Sequence, residues 1–208
     1  MQIERYTCGS LASNCYVVNC GGRYAVIDVG FPTGAAIYRI AELRDKIDWI
    51  LVTHRHFDHV MGVAAAKRLT GAKVAVHRLE ACGLLDEEKS LYSRFRRTLG
   101  VQNETCEPDL LLEDGDTVTV GDCTFKVLLT PGHTEGSVCF LCGDTLFSGD
   151  TLFAGAVGRT DFPTGSMEQM MHSLDRLALL GDGTVVYPGH GEDTTIGREK
   201  QCNPYMKR

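Results

Sequence analysis

Positive charge is in short supply in this chain. Lysine and arginine total 21 against 27 aspartates and glutamates, giving a formal net charge of −6, and the isoelectric point lies near 5.6. A phosphate backbone is gripped by clustered positive charge, so this balance argues against a nucleic-acid partner. Long apolar runs are lacking as well: nothing approaches the about 20 consecutive apolar residues of a membrane-spanning helix. The amino terminus, MQIERYTCGSLASNC, carries Glu4 and Arg5 where an export signal would place its apolar core. The expectation is a cytoplasmic protein with neither a membrane nor a nucleic acid as partner.

Paired cysteines are missing too. Nine is an odd number, and without an export signal a disulfide framework is not expected. Cys139 and Cys142 in CFLC have the spacing of half a zinc ribbon, but no second such pair exists. The run SVCFLC reads as a strand, in which residues three apart point to opposite faces, so these thiols are read as structural. Repeats, low-complexity tracts and Pro/Ser-rich linkers are also absent. What remains is ordinary globular material, 208 residues with 43% hydrophobic and 23% charged. That is enough for one domain over 1–208 with a full core.

Strand-like runs open the chain: CYVVNC, then YAVIDVG after Gly21 and Gly22. A helix is predicted next, capped by Thr33, with Ile37, Ile40 and Ala41 on one face. WILVT is a continuous apolar run of the kind buried on both sides of a sheet. Val60, Val63 and Ala64 predict a helix just beyond it, and KVAVH another strand. In the later half, Gly121-Asp122 and Gly143-Asp144 each separate two strand-like runs as hairpin turns. The clearest helix starts at Ser166, with Gln169 placed for a capping box and Gly181 as a left-handed stop. Met167, Met170, Met171, Leu174, Leu177 and Ala178 form its apolar stripe. TVVYP is one more strand, and a short helix over 196–201 closes the chain. The fold class expected is α+β, two mixed sheets packed face to face with helices outside. Segment 86–108 fits neither half; Leu91, Phe95 and Leu99 give it a short helical stripe, and it is the candidate for a lid or inserted arm.

The polar residues with chemistry in them gather at strand ends. THRHFDH, directly after WILV, offers His54 and His56 two apart in an extended stretch, so both can project to one side. Asp58 and His59 follow where a helix begins. Asp58 could serve merely as a helix cap, and the histidines as solvated loop residues. Further along, His133 follows the strand TFKVLL, Asp150 follows TLFSG, and His190 follows TVVYP. Four strand ends offering imidazole or carboxylate are where ligands gather on a sheet scaffold. Of the seven histidines, His172 is predicted to face solvent and His77 to be structural, leaving five for a site.

THRHFDH, with the later His133, Asp150 and His190, resembles the metallo-β-lactamase superfamily over nearly the whole chain. The resemblance implies an αββα sandwich and a site for two metal ions. Carried over by position, His54, His56 and His133 would hold the first ion, Asp58, His59 and His190 the second, and Asp150 would bridge them. Within the superfamily, TPGHTEGS, SGDTLF, GRTDFPTGS and YPGHGEDTT look most like glyoxalase II, the hydroxyacylglutathione hydrolases. The likeness is to a short form, because only 18 residues follow His190 and leave no room for a C-terminal helical domain. An aspartate at 150, where zinc β-lactamases use a cysteine near their second metal, speaks against a lactamase.

Imidazole and carboxylate donors suit two divalent ions, zinc first, with iron or manganese as alternatives. A shared water would then have its pKa lowered toward about 7, and the resulting hydroxide would attack a carbonyl with Asp58 orienting it. No serine nucleophile elbow competes with this reading; GRTDFPTGS is not one. The expected activity is hydrolysis of a small thioester such as S-lactoylglutathione. Arg159, Arg198 and Lys200 are candidate contacts for an anionic substrate tail, with Tyr205, Arg94, Arg96 and Arg97 behind them. The rival is a mononuclear-iron persulfide dioxygenase of the same superfamily, whose members share GRTDF but resemble AHD where this chain has GHG around His190. A domain that holds metal without turnover, and a nucleic-acid hydrolase, rank below both.

Overall fold

A computed structural model describes residues 1–207. The chain divides into two compact units, the first being Met1–Leu112 with Thr119–Cys123, the second residues 113–118 and 124 onward.

The first unit is built on a six-stranded sheet of β1 (Gln2–Cys8), β2 (Ser13–Cys20), β3 (Arg23–Ile27), β4 (Ile47–Val52), β5 (Lys73–His77) and β6 (Leu110–Leu112), in that order. The first three strands are antiparallel neighbours; β3 through β6 run parallel. Parallel strands need crossovers, and the helices α1 (Ala35–Glu42) and α3 (Val63–Thr70) supply them. Between them lies a single turn, α2 (Phe57–Val60). Ile50, Leu51 and Val52 are all fully buried, as expected for a strand covered on both faces. One cluster joins Val26, Ile50, Val52, Val74 and Val76 of the strands to Ile37 and Ile40 of α1 and Val63 and Ala66 of α3. Each such side chain contributes about 1.5–3 kcal/mol of burial. Thr33 does not cap α1: the N-cap is Gly34, without a side-chain hydrogen bond, and the helix leans on its buried face instead.

The connection from β5 to β6 contains α4 (Cys82–Leu85) and α5 (Tyr92–Leu99). Leu91 is buried, and Phe95 and Leu99 are half-buried, so the stripe is present. The most buried side chain of α5 itself is Tyr92, at 2% exposure.

The other six-stranded sheet consists of β7 (Thr117–Val120), β8 (Cys123–Leu129), β9 (Val138–Cys142), β10 (Thr145–Gly149), β13 (Val185–Pro188) and β14 (Thr194–Thr195), in the order β14-β13-β10-β9-β8-β7. A separate small ribbon pairs β11 (Leu152–Phe153) with β12 (Ala156–Val157). Cys142 pairs with Thr145, so Gly143-Asp144 is the two-residue hairpin expected. Strands β10 and β13 are parallel, joined through α6 (Met167–Ala178). Ser166 Oγ accepts the Gln169 N–H at 3.3 Å, the predicted cap. Met170, Leu174 and Leu177 of α6 are buried against Leu128, Cys139, Leu146 and Val186. Gly181 is not the stop: Leu179 and Leu180 donate to Arg176 and Leu177 at i−3, closing the helix with a tighter final turn. The last helix, α7 (Ile196–Cys202), is capped by Thr195. Among the described residues no helix is long and apolar enough to cross a membrane.

Candidate metal centre

The first donor set follows β4. Beyond Val52 the chain bends at Thr53 and runs without regular structure to His56, which is the N-cap of α2 with φ −64° and ψ 144°. Asp58 therefore lies inside the helical turn and is not its cap. His54, His56 and His59 are 0, 5 and 0% exposed, and the Asp58 side chain 13%. The His54 ring lies 5.0 Å from that of His56 and 4.2 Å from that of His59, centroid to centroid. Asp58 Oδ2 is 3.7 Å from His59 Nε2. The turn is tied down by Ser13 Oγ, which donates to the Asp58 carbonyl at 2.6 Å.

Asp28, immediately after β3, organises this set. Its backbone is left-handed, φ 53°, a conformation aspartate tolerates better than most residues. Its buried carboxylate accepts the Thr53 N–H at 2.8 Å and the Thr53 hydroxyl at 2.7 Å, and faces His59 Nδ1 at 2.8 Å. One donor atom from each of Asp28, His54 and His59 falls within 4.8 Å of the others. These contacts fix protons. The Thr53 hydroxyl has one hydrogen and gives it to Asp28, so at 3.1 Å it can only accept from His54 Nδ1. His59 Nδ1 meets a carboxylate and must also carry its proton. In their neutral form both imidazoles then have the lone pair at Nε2.

The second donor set belongs to the other unit. His133 follows β8, Asp150 follows β10 directly, and His190 follows β13. Gly189 N–H donates to the Gly149 carbonyl at 2.8 Å, tying the His190 loop to the end of β10. One oxygen, Asp150 Oδ2, is 3.4 Å from His133 Nε2 and 3.6 Å from His190 Nε2. His133 Nδ1 donates to the Arg159 carbonyl at 2.7 Å, a partner that can only accept, so in neutral His133 the ring lone pair is at Nε2, the atom facing Asp150. Gly158 makes this possible: a Cβ there would stand 1.9 Å from the Asp150 carbonyl and 3.1 Å from His133 Nδ1.

The donor chemistry fits divalent cations. Imidazoles held through Nδ1 by an acceptor, with Nε2 open, are the arrangement that orients histidine ligands. The carboxylates add negative charge, and no cysteine is among these donors. Each unit brings together its own share of the expected residues: His54, His56, Asp58 and His59 in one, His133, Asp150 and His190 in the other. His77 is buried, taking the Leu79 N–H at 3.4 Å, and His172 is exposed.

The expected substrate contacts sit differently. Arg159 contributes its carbonyl to His133, while its guanidinium makes two 2.7 Å bonds to Asp161 and lies 3.8 Å from the Phe162 ring centre. Those bonds hold the Asp161 carboxyl down at about 2. Lys200 donates to the Leu180 carbonyl and pairs with Asp182 at 2.7 Å. Arg198 is exposed at the start of α7. Arg96 pairs with Glu87 and covers Tyr92. Sequence reading passed over Asp28 and Thr53; an acidic residue inside the apolar run YAVIDVG was the available signal.

Comparisons with known proteins place the chain among relatives of one family. The family model of the metallo-beta-lactamase superfamily matches residues 8–190. The hydroxyacylglutathione hydrolase GloC of Haemophilus influenzae is 32% identical, over 99% of this chain and 98% of its own. Among solved structures, the BLEG-1 B3 metallo-beta-lactamase has a TM-score of 0.87 at 33% identity, covering both chains fully. TTHA1623 in a di-iron-bound form has 0.82 at 35%, covering 97% of this chain and 99% of that one. ETHE1 from Myxococcus xanthus has 0.77 at 31%, covering 98% and 84%. The fold class is the αββα fold of these neighbours, and the candidate His/Asp donors imply a divalent metal. The chain belongs to the metallo-beta-lactamase superfamily.

Proposed function

We propose that this chain is a binuclear metallo-hydrolase acting on a small thioester such as S-lactoylglutathione. In this reading His54, His56 and His133 would hold one ion and Asp58, His59 and His190 the other, with Asp150 available to both. The observation that carries it is the Asp150 oxygen set between the Nε2 atoms of His133 and His190, with His54 and His59 presenting Nε2 in the same tautomer. The likeness to GloC over almost the full length of both chains supports the thioester.

Two bound cations, zinc foremost, supply Lewis-acid activation of a water and of the thioester carbonyl. The protein's residues do the rest. Asp28, Thr53 and the Arg159 carbonyl hold the imidazoles in the Nε2-donor tautomer. Asp58, the least buried of the first donor set, orients the attacking water by accepting a hydrogen bond from it. The departing thiolate needs no strong general acid, since a simple thiol has a pKa of about 8.5. Among the candidates for the substrate's anionic end, Arg198 is exposed at the start of α7.

The second reading is a mononuclear-iron persulfide dioxygenase, favoured by the Gly158–Phe162 stretch GRTDF and compatible with the ETHE1 neighbour. A metal assay on purified protein, with turnover of S-lactoylglutathione, oxygen uptake with a persulfide, and β-lactam hydrolysis measured side by side, separates these activities. Two equivalents of metal and thioester turnover are expected. Oxygen uptake with one iron, or β-lactam hydrolysis alone, would replace the assignment. Asp150→Ala should abolish turnover and reduce bound metal; full rate in that variant would end the binuclear reading.

A further inference from the structure

We propose that Glu80 is a positioning residue for the metal centre, acting through the backbone of Arg55, the residue between His54 and His56. This rests on the reading of those two histidines as metal ligands.

Arg55 stands between His54 and His56, and its guanidinium reaches Leu79, Glu80 and Cys82. There it meets the segment that follows β5. Glu80 is fully buried and Arg55 is 5% exposed. Glu80 Oε2 accepts the Arg55 backbone N–H at 2.7 Å, and Oε1 lies 3.6 Å from Arg55 Nη1. The same Nη1 donates to the Leu79 carbonyl at 3.0 Å and approaches Cys82 Sγ at 3.5 Å. Gly83 is pressed onto the same residue: a Cβ on it would stand 2.3 Å from Arg55 Cβ and 2.9 Å from its carbonyl oxygen. Further along, the Ser90 carbonyl accepts the Phe57 N–H at 2.9 Å, and the Phe57 and Phe95 rings pack at 4.9 Å.

The non-donor residues 55 and 57 are thus held from outside the site, by one connection between β5 and β6. A buried ion pair alone is a poor reason for such an arrangement, because its desolvation cost offsets most of its attraction. The hydrogen bond from Arg55 N–H to Glu80 does something an ion pair does not: it fixes the peptide linking two donors. Shifting that peptide changes the separation of both imidazoles at once. Residues that orient metal ligands without touching the metal typically change its affinity about 10–100-fold.

Three variants of the full chain test this, with zinc and manganese affinities measured by competition against a chromophoric chelator and unfolding followed on metal-depleted protein. Glu80→Ala should weaken metal binding at least about tenfold. Glu80→Gln keeps an oxygen for the Arg55 N–H and should recover most of that affinity. Arg55→Leu combined with Glu80→Leu removes both charges; it should regain unfolding temperature over Glu80→Ala while its metal binding stays weak. If the double variant binds metal as tightly as wild type, or if glutamine at 80 is no better than alanine, Glu80 is only part of the core and the proposal fails. Absence of metal binding in the wild type would instead remove the parent reading, and this inference with it.

Discussion

Asp28 carries three contacts in one small carboxylate, and each has a consequence for the imidazoles beside it. Asparagine in its place keeps the left-handed backbone accessible, but sets an amide donor against the Thr53 N–H or the His59 Nδ1–H. Leaving one such buried group unsatisfied costs about 1–3 kcal/mol. Asp28→Asn should therefore lower the urea midpoint of the metal-depleted protein and weaken metal binding about 10–100-fold. Unchanged affinity would show that His59 does not depend on Asp28 for its tautomer. The candidate donors were legible in the sequence because each stands where an apolar run stops. Asp28 was not singled out because it sits inside such a run, where a carboxylate reads as an interruption. The partners of Arg159 and Lys200, Asp161 and Asp182, also lay beyond reach: nothing in a charge pattern says which carboxylate a cation will choose.

Elements were legible where two independent signals coincide. Helix α6 has both a cap and an apolar stripe, and its start at Met167 follows from Ser166. Removing that cap, Ser166→Ala, should cost about 1 kcal/mol. Leu174→Ala, at a site 1% exposed, should cost about 2–5 kcal/mol. Met167→Ala, at 43% exposure, should change stability by less than about 0.5 kcal/mol. Denaturant midpoints of the three variants check the ranking, and a Met167 effect as large as that of Leu174 would mean the buried face is misassigned. The ends were less legible. Gly181 and Thr33 have the right chemistry to stop and start helices, yet the final turn of α6 closes on its own carbonyls and α1 takes its cap one residue after Thr33, at Gly34. Local preference proposed a boundary, and packing moved it.

At the scale of the molecule, the nine thiols provide a test of the core. Six are buried, Cys82 and Cys142 are intermediate, and Cys202 is exposed. Burial, against the opposing effect of hydrogen bonds with Thr130 and Thr151, pushes the Cys139 thiol up to about 11, so at pH 8 it holds almost no thiolate. A thiol reagent added to native protein should modify Cys202 first, Cys82 and Cys142 more slowly, and the remaining six only after denaturation. Rapid modification of Cys139 in native protein would contradict the packing of α6 onto β9. Two strand-rich halves were legible from turn chemistry and apolar runs, but β1, β6, β14 and the short ribbon of β11 and β12 were not. The parallel pairing of β3 through β6, and of β10 with β13, was not, because partners separated by a helix leave no local mark.

Gly158 has a consequence for anyone reading tolerance to substitution in this protein. It holds no proton and offers no lone pair of its own side chain, yet even a methyl group there would collide with the Asp150 carbonyl and crowd His133. A saturation library scored for activity should deplete position 158 as severely as the donors themselves, alanine included. Intolerance in such a map marks the wall as well as the ligands, and a blank at a glycine is no evidence of chemistry.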